Sequence, residues 1–201
     1  MTRLVYVVRH GNTFDAGDTV LRVGGRTDLS LSRSGREQAA RLGAHFANEG
    51  IQFSEAMAGP LLRTRETTEA ILAAQASPPE LRISESLREI DYGPDEGRPE
   101  GEVVDRIGAD ALAAWETQSL VPPGWMVDPQ ALERDWLALF DTLSGDDGGP
   151  VLVVTSNGVA RFAISALGLS GKHEPKLKTG AFGIVEIDGF SRRVVRWNSR
   201  P

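Results

Sequence analysis

A chain of 201 residues, 40% hydrophobic and 25% charged, is long enough to form one domain around a main core. Its formal net charge of -6 argues against a surface built to attract nucleic acid or an anionic membrane, and points to a small ligand. The absence of cysteine excludes a disulfide framework, a thiol nucleophile and a cysteine-ligated metal. No apolar run approaches the length of a membrane span, and Met1 to Val8 shows no secretory cleavage pattern, so the expected location is cytoplasmic.

Leu4 to Val8 is a near-continuous apolar, β-branched run that predicts a strand buried on both faces of a parallel sheet. It ends abruptly at Arg9-His10-Gly11-Asn12-Thr13, and a polar loop runs on to Arg33. Ser34-Gly35-Arg36-Glu37 reads as a capping box opening a helix with Ala39, Leu42 and Phe46 on one face and a stop at Gly50. Ile51 to Ala58 supplies a second strand, and Gly59-Pro60 starts a helix that Ser77-Pro78-Pro79 ends. After a short strand at Leu81 to Ser84, the stretch Glu89 to Gly101 is punctuated by glycine and proline and is too polar to be core. Two helical patterns follow, one ending near Ser119 and one over Ala131 to Leu143, separated by Val121-Pro122-Pro123-Gly124. Gly145 to Pro150 is a loop, Val151 to Val154 a second buried strand, and Val159 to Leu167 a helix. The tail, Phe182 to Ile187 and Arg193 to Trp197, reads as a hairpin or a pair of edge strands. Strands alternating with helices predict an α/β sandwich whose ligands collect at the carboxyl ends of the strands, where Arg9-His10 and Ser156-Asn157 fall.

A histidine between an arginine and a glycine just beyond a buried strand has a rigid support, a nearby cation and an open approach. Alone, Arg9-His10-Gly11 is equally consistent with a surface cation and a satisfied strand-end histidine. Leu61 to Thr67 puts Arg63 and Arg65 at the first turn of a helix, where backbone N–H groups favour an anion, although an ordinary solvated role is the better reading for Arg65 and for Arg63 taken by itself. Glu89 and Asp91 flank an apolar position in a loop able to fold over the strand ends, and either is a candidate proton donor if burial raises its pKa.

Taken together these motifs resemble the histidine phosphatase (phosphoglycerate mutase-like) superfamily. The resemblance runs through Arg9 to Thr13, Gly25 to Leu31 with Gly35 and Gln38, Pro60 to Thr64 with Thr67, Leu87-Arg88-Glu89 with Gly93 and Glu96-Gly97, and Val151 to Arg161. It implies a three-layer sandwich with a mostly parallel central sheet flanked by helices, as one domain over residues 1–201 with a helical cap insertion at roughly 100–143. It also implies a phosphomonoester hydrolase that needs neither metal nor cofactor. His10 would accept the phosphoryl group of a small phosphorylated metabolite, and inorganic phosphate would be the product. Arg9 and Arg63 would neutralise the phosphate, Asn12 and Thr13 would add neutral hydrogen bonds, and Glu89 would be the acid, with Asp91 second.

The family's usual turn after the last core strand, a Ser/Thr-His-Gly-Gly pattern, is Thr155-Ser156-Asn157-Gly158 here, so Ser156 stands where a second histidine belongs. Ser156 and Asn157 are the expected neutral phosphate donors in its place. The alternative is a catalytically impaired module that binds a phosphorylated ligand or phosphoprotein. A phosphoglycerate mutase is disfavoured, because Ile90 and Glu100 fall where mutases carry cations for a substrate carboxylate. His45 and His173 are expected at the surface, Trp136 in the core, and Trp125 as an exposed contact at the pocket mouth. The sequence leaves the oligomeric state unread.

Overall fold

The computed structural model describes residues 2–144, 148–171 and 173–201, so residues 145–147 of the predicted Gly145 to Pro150 loop lie outside the described residues. The strands are β1 (Thr2–Arg9), β2 (Glu55–Ala58), β3 (Leu81–Ile83), β4 (Val151–Thr155), β5 (Phe182–Asp188) and β6 (Ser191–Ser199). The helices are α1 (Arg33–Asn48), α2 (Leu62–Leu72), α3 (Glu100–Ile107), α4 (Ala109–Gln118), α5 (Pro129–Thr142) and α6 (Asn157–Ala166). The strands form one sheet in the order β3-β2-β4-β1-β5-β6. The four from β3 to β1 run parallel, and β5 and β6 are antiparallel additions. The fold is therefore an α/β sandwich around a mostly parallel sheet, as expected.

Side chains alternate across a strand, and the two faces of the sheet build two cores. Val5, Val7, Val151 and Val153 share one with Trp136 and Phe140 of α5 and Phe162 of α6. Tyr6, Val8, Leu152 and Val154 share the other with Leu42 and Phe46 of α1 and Ile71 of α2. The apolar runs of β1 and β4 are continuous because both faces are covered.

Several boundaries differ from the sequence reading. Ser32 caps α1, its hydroxyl accepting from the Gly35 amide, so the expected box at Ser34 to Glu37 lies inside the helix. Gly50, with φ of 68°, does end that helix. The second strand is four residues long, because residues 51–54 bond elsewhere: Phe53 N–H donates to Gln75 and Ser54 N–H to the Pro150 carbonyl. The same Gln75 amide donates back to the Ile51 carbonyl, and α2 stops at Leu72, short of the prolines. The helix predicted to end near Ser119 is two, broken at Gly108, whose φ of 84° interrupts helical geometry. The stretch Glu89 to Gly101 is not wholly a solvated loop: Ile90, Tyr92 and Asp95 are buried, and Asp95 is held by Arg106 and by Trp125 Nε1.

The expected cap at 100–143 divides. Helix α5 packs along α6 as part of a flanking layer, with Trp136 Nε1 donating to the Val159 carbonyl at 2.9 Å. Helices α3 and α4 instead bring Glu100, Trp115 and Glu116 to the cavity at the carboxyl edge of the sheet. No helix among the described residues is long and apolar enough to cross a membrane.

Candidate active site

Parallel pairing of β1 with β4 sets Arg9 opposite Thr155, and the His10 amide continues the ladder to the Thr155 carbonyl at 3.1 Å. The polar turns that follow the two buried strands therefore stand side by side. They open into a cavity of about 320 Å³ that Arg9, His10, Asn12, Thr13, Arg63, Glu89 and Asn157 all line. Seven of the eight expected site residues meet there, the exception being Ser156.

His10 is buried and doubly fixed. Its Nδ1 lies 2.7 Å from the Gly11 carbonyl, so Nδ1 carries the proton, and Nε2 keeps a lone pair that accepts the Arg63 Nε–H at 3.3 Å. Burial first, and then the Arg63 and Arg9 charges, hold the imidazole pKa well below its usual value, which keeps the ring neutral. Gly11 is required by contact: a Cβ there would meet the Gly35 carbonyl oxygen at 2.3 Å, and one on Gly35 would meet the Asn12 carbonyl oxygen at 2.0 Å. The start of α1 is thereby pressed against the loop after β1. The Asn12 amide donates to Gln38 and its carboxamide to Ser34, so α1 also orients Asn12.

Arg63 is fully buried, and its Nη groups donate to the Thr27 and Gly24 carbonyls at 2.8 and 3.1 Å. That contact explains what the Gly25 to Leu31 motif does: its loop holds the arginine. The expected anion site at the amides of the first turn of α2 is not realised. Leu62 N–H donates to Asp28 instead, and the helix meets the cavity through Arg63. Arg9 donates to the Leu177 carbonyl at 2.9 Å, while the Leu177 amide donates to Asn157 Oδ1, so one backbone segment places both residues. Among the described residues neither Arg9 nor Arg63 has an ion-pair partner. Two cations that line a cavity with no ion-pair partner among the described residues, Glu89 being the carboxyl that acts most strongly on both, make a site for an anion.

Glu89 is buried beside them, accepting from the Ile90 amide at 3.0 Å and the Gly158 amide at 3.4 Å. Burial pushes its pKa up, against the lowering influence of Arg63, Arg9 and these amides. Gly158 permits the approach, since a Cβ there would meet Glu89 Oε1 at 2.2 Å. Asp91 does not line the cavity; it bonds to the Gly93 amide and pairs with Arg26.

Ser156 departs from expectation. It is fully buried and does not line the cavity, and among the described residues its hydroxyl has no hydrogen-bond partner. The side chain from that turn that reaches the cavity is Asn157. Trp125 is also corrected: it is buried with its indole N–H on Asp95, whereas Trp115 meets the cavity. Trp136 is core as expected, His173 is exposed, and His45 is half-buried against Phe46 and Phe182. The sequence reading missed Arg22, Glu116 and Lys176 as wall residues, which lie in stretches with no local motif of their own.

The sequence pattern of the histidine phosphatase superfamily (branch 1) matches residues 5–200. The chain belongs to this superfamily. Among curated histidine phosphatase relatives, the 2,3-bisphosphoglycerate-dependent phosphoglycerate mutase of Rhizobium etli is 34% identical over 125 residues, 61% of this chain and 58% of that protein. The chain thus spans little more than half the length of that relative. The probable phosphoglycerate mutase GpmB of Erwinia tasmaniensis is 30% identical over 192 residues, covering 92% of this chain and 84% of that one. The solved mycobacterial glucosyl-3-phosphoglycerate phosphatase superposes with a TM-score of 0.80 over 99% of this chain and 100% of its own, at 20% identity, a likeness of fold.

Proposed function

We propose that this histidine phosphatase hydrolyses a small phosphomonoester through a phosphohistidine at His10. The reading is carried by one observation: a neutral imidazole whose Nε2 lone pair lies in a cavity with Arg9 and Arg63, neither ion-paired among the described residues, and with a buried Glu89 whose pKa burial pushes up. Arg9 and Arg63 take the phosphate oxygens and hold phosphorus in line with Nε2. Nε2 attacks phosphorus, the bond to the ester oxygen breaks, and the Glu89 carboxyl gives that oxygen its proton. Water then attacks the phosphohistidine, the Glu89 carboxylate takes the water's proton, and the N–P bond breaks to release inorganic phosphate and neutral His10. Asn12, Thr13 and Asn157 supply neutral hydrogen bonds to the phosphate.

Ser156 occupies the place of the family's second histidine, and Asn157, one residue on, supplies the donor in this reading. The acceptor role of its Oδ1 toward Leu177 turns the amide N–H groups to other partners. Hydrolysis is preferred over mutase chemistry because Ile90 is buried and Glu100 puts a carboxylate on the cavity wall. The enclosed, unpartnered hydroxyl of Ser156 favours a second reading, a phospholigand-binding module with lost turnover.

The two are separated by incubating the protein with a reactive phosphomonoester, quenching at neutral to alkaline pH, and mapping the product by mass. One phosphoryl group on the peptide containing His10, together with phosphate release that is lost in His10→Ala, is the expected result. Phospholigand binding without either signal selects the module.

A further inference from the structure

Besides the phosphate-binding residues, the same cavity is lined by charged side chains that pair with one another. Arg22 Nη2 pairs with Glu100 Oε2 at 2.6 Å, and Lys176 Nζ with Glu116 Oε2 at 2.6 Å, and all four residues line the wall. Arg22 is further held with its guanidinium carbon 5.2 Å from the ring centres of both Tyr92 and Trp125. Its Nη2 is the nitrogen that meets Glu100, while its buried Nε has no hydrogen-bond partner among the described residues. Each ion pair uses one carboxylate oxygen. Among the described residues Oε1 of Glu100 accepts no hydrogen bond, and neither oxygen of Glu116 does, its Oε2 being held by charge alone; a carboxylate oxygen can only accept. Val20 and Leu21 add apolar surface to the cavity lining, and Val20 is half exposed.

We propose that the part of the cavity walled by these ion pairs takes uncharged, hydroxyl-bearing leaving groups and rejects those with a second anionic group, with Glu100 and Glu116 as the specificity-determining residues. Substrate hydroxyls donate to the two open Oε1 atoms while the carbon skeleton lies along Val20 and Leu21. A substrate carboxylate or second phosphate meets two carboxylates and two cations that are already neutralised. Burial already raises the Glu100 pKa against the influence of Arg22, and a further negative charge alongside adds like-charge repulsion in the same direction. The inference rests on the hydrolase reading for the word "leaving group", but the selectivity is a property of binding as well.

Glycerol 3-phosphate and 3-phosphoglycerate test it, because they differ at one carbon, hydroxymethyl in the first and carboxylate in the second. Their kcat/KM ratio is measured in the wild type, and their Kd ratio by calorimetry in His10→Ala, which cannot turn them over. Both ratios are expected to favour glycerol 3-phosphate by about tenfold or more, as like-charge juxtaposition in a partly desolvated wall requires. Glu100→Gln keeps a hydrogen-bond acceptor for Arg22 and should bring the ratio toward parity, Glu116→Gln should do so in part, and Glu100→Lys should reverse it. A ratio near one, a preference for 3-phosphoglycerate, no binding of either ester, or a ratio unmoved in both Gln variants overturns the proposal. Selective binding with no turnover of either ester supports the cavity's selectivity and counts against the hydrolase reading alone.

Discussion

His10 and Glu89 carry pKa shifts in opposite directions for one shared reason, enclosure, which disfavours the charged form of each. The nucleophile is thereby kept neutral and the acid's hold on its proton is strengthened, which is the pairing that nucleophilic attack with leaving-group protonation needs. On the proposed mechanism, kcat/KM rises with pH as His10 loses its proton, at a pH below the ordinary 6.5, and falls as Glu89 ionises above the ordinary 4.5. Glu89→Gln should remove the falling limb of the pH–rate profile. It should also slow alkyl phosphates by about 100-fold or more while slowing a nitrophenyl ester far less, since only the former need a proton. Equal losses for the two ester types would place the acid elsewhere. Asn157→Ala should cut turnover on the order of 100-fold, the cost of a lost preorganised donor. Ser156→Ala should change it by less than about threefold, because removing an enclosed, unpartnered hydroxyl leaves no polar group stranded. Steady-state rates on both variants check this, and the reverse order would return the donor role to Ser156.

Among the elements, the meeting of α1 with the loop after β1 does the most to shape the site. Gly11 and Gly35 interlock at backbone distance, and Gln38 and Ser34 bind the amide and side chain of Asn12 from the same helix. Gly35→Ala should destabilise the protein by about 1–3 kcal/mol, the usual cost of overpacking, because its Cβ would face a carbonyl oxygen and not a movable side chain. Urea denaturation reads that loss, and weaker phosphate binding in the folded variant should accompany it. An unchanged denaturation midpoint would mean that α1 can withdraw freely. The motif was legible as a glycine at a fitting interval, but its partner is set by where α1 lies on the sheet. The cap shows the same limit. Sequence patterns predict helices ending near Ser119 and over Ala131 to Leu143, and only packing separates the part that walls the cavity from the helix that covers the sheet.

For the whole molecule, the raised pKa of Glu89 makes the folded state the better proton binder. Stability linked to this group is present below the unfolded value near 4.5 and is lost as pH rises through the raised folded value. The depressed His10 pKa works in the other sense: its contribution is complete above 6.5 and is lost as pH falls toward the folded value. Glu89→Gln should therefore raise Tm relative to the wild type at pH 8, with the gain shrinking toward pH 4, where the wild-type carboxyl is itself protonated. Thermal melts across that range test it. A gain that is the same at both ends would show that the carboxylate carries no desolvation strain.

Local pattern determined the buried strands β1 and β4, the helices that flank them and the order α/β, because apolar runs and helical spacing are properties of neighbouring residues. The resemblance to a known family, and not local pattern, singled out Arg9, His10, Arg63 and Glu89, all of which line the cavity at the carboxyl edge of the sheet. The tertiary structure alone decided the rest. It put Asn157 and not Ser156 on the cavity wall, a choice made by the first turn of α6 and by the Leu177 amide, 20 residues away. It buried Trp125 on Asp95 and brought Trp115 to the cavity, and it tied Arg22 to Glu100 and Lys176 to Glu116 across 78 and 60 residues of chain. Those contacts carry no periodicity and no local motif, since each is made between segments that only the completed sheet and its cap bring within reach.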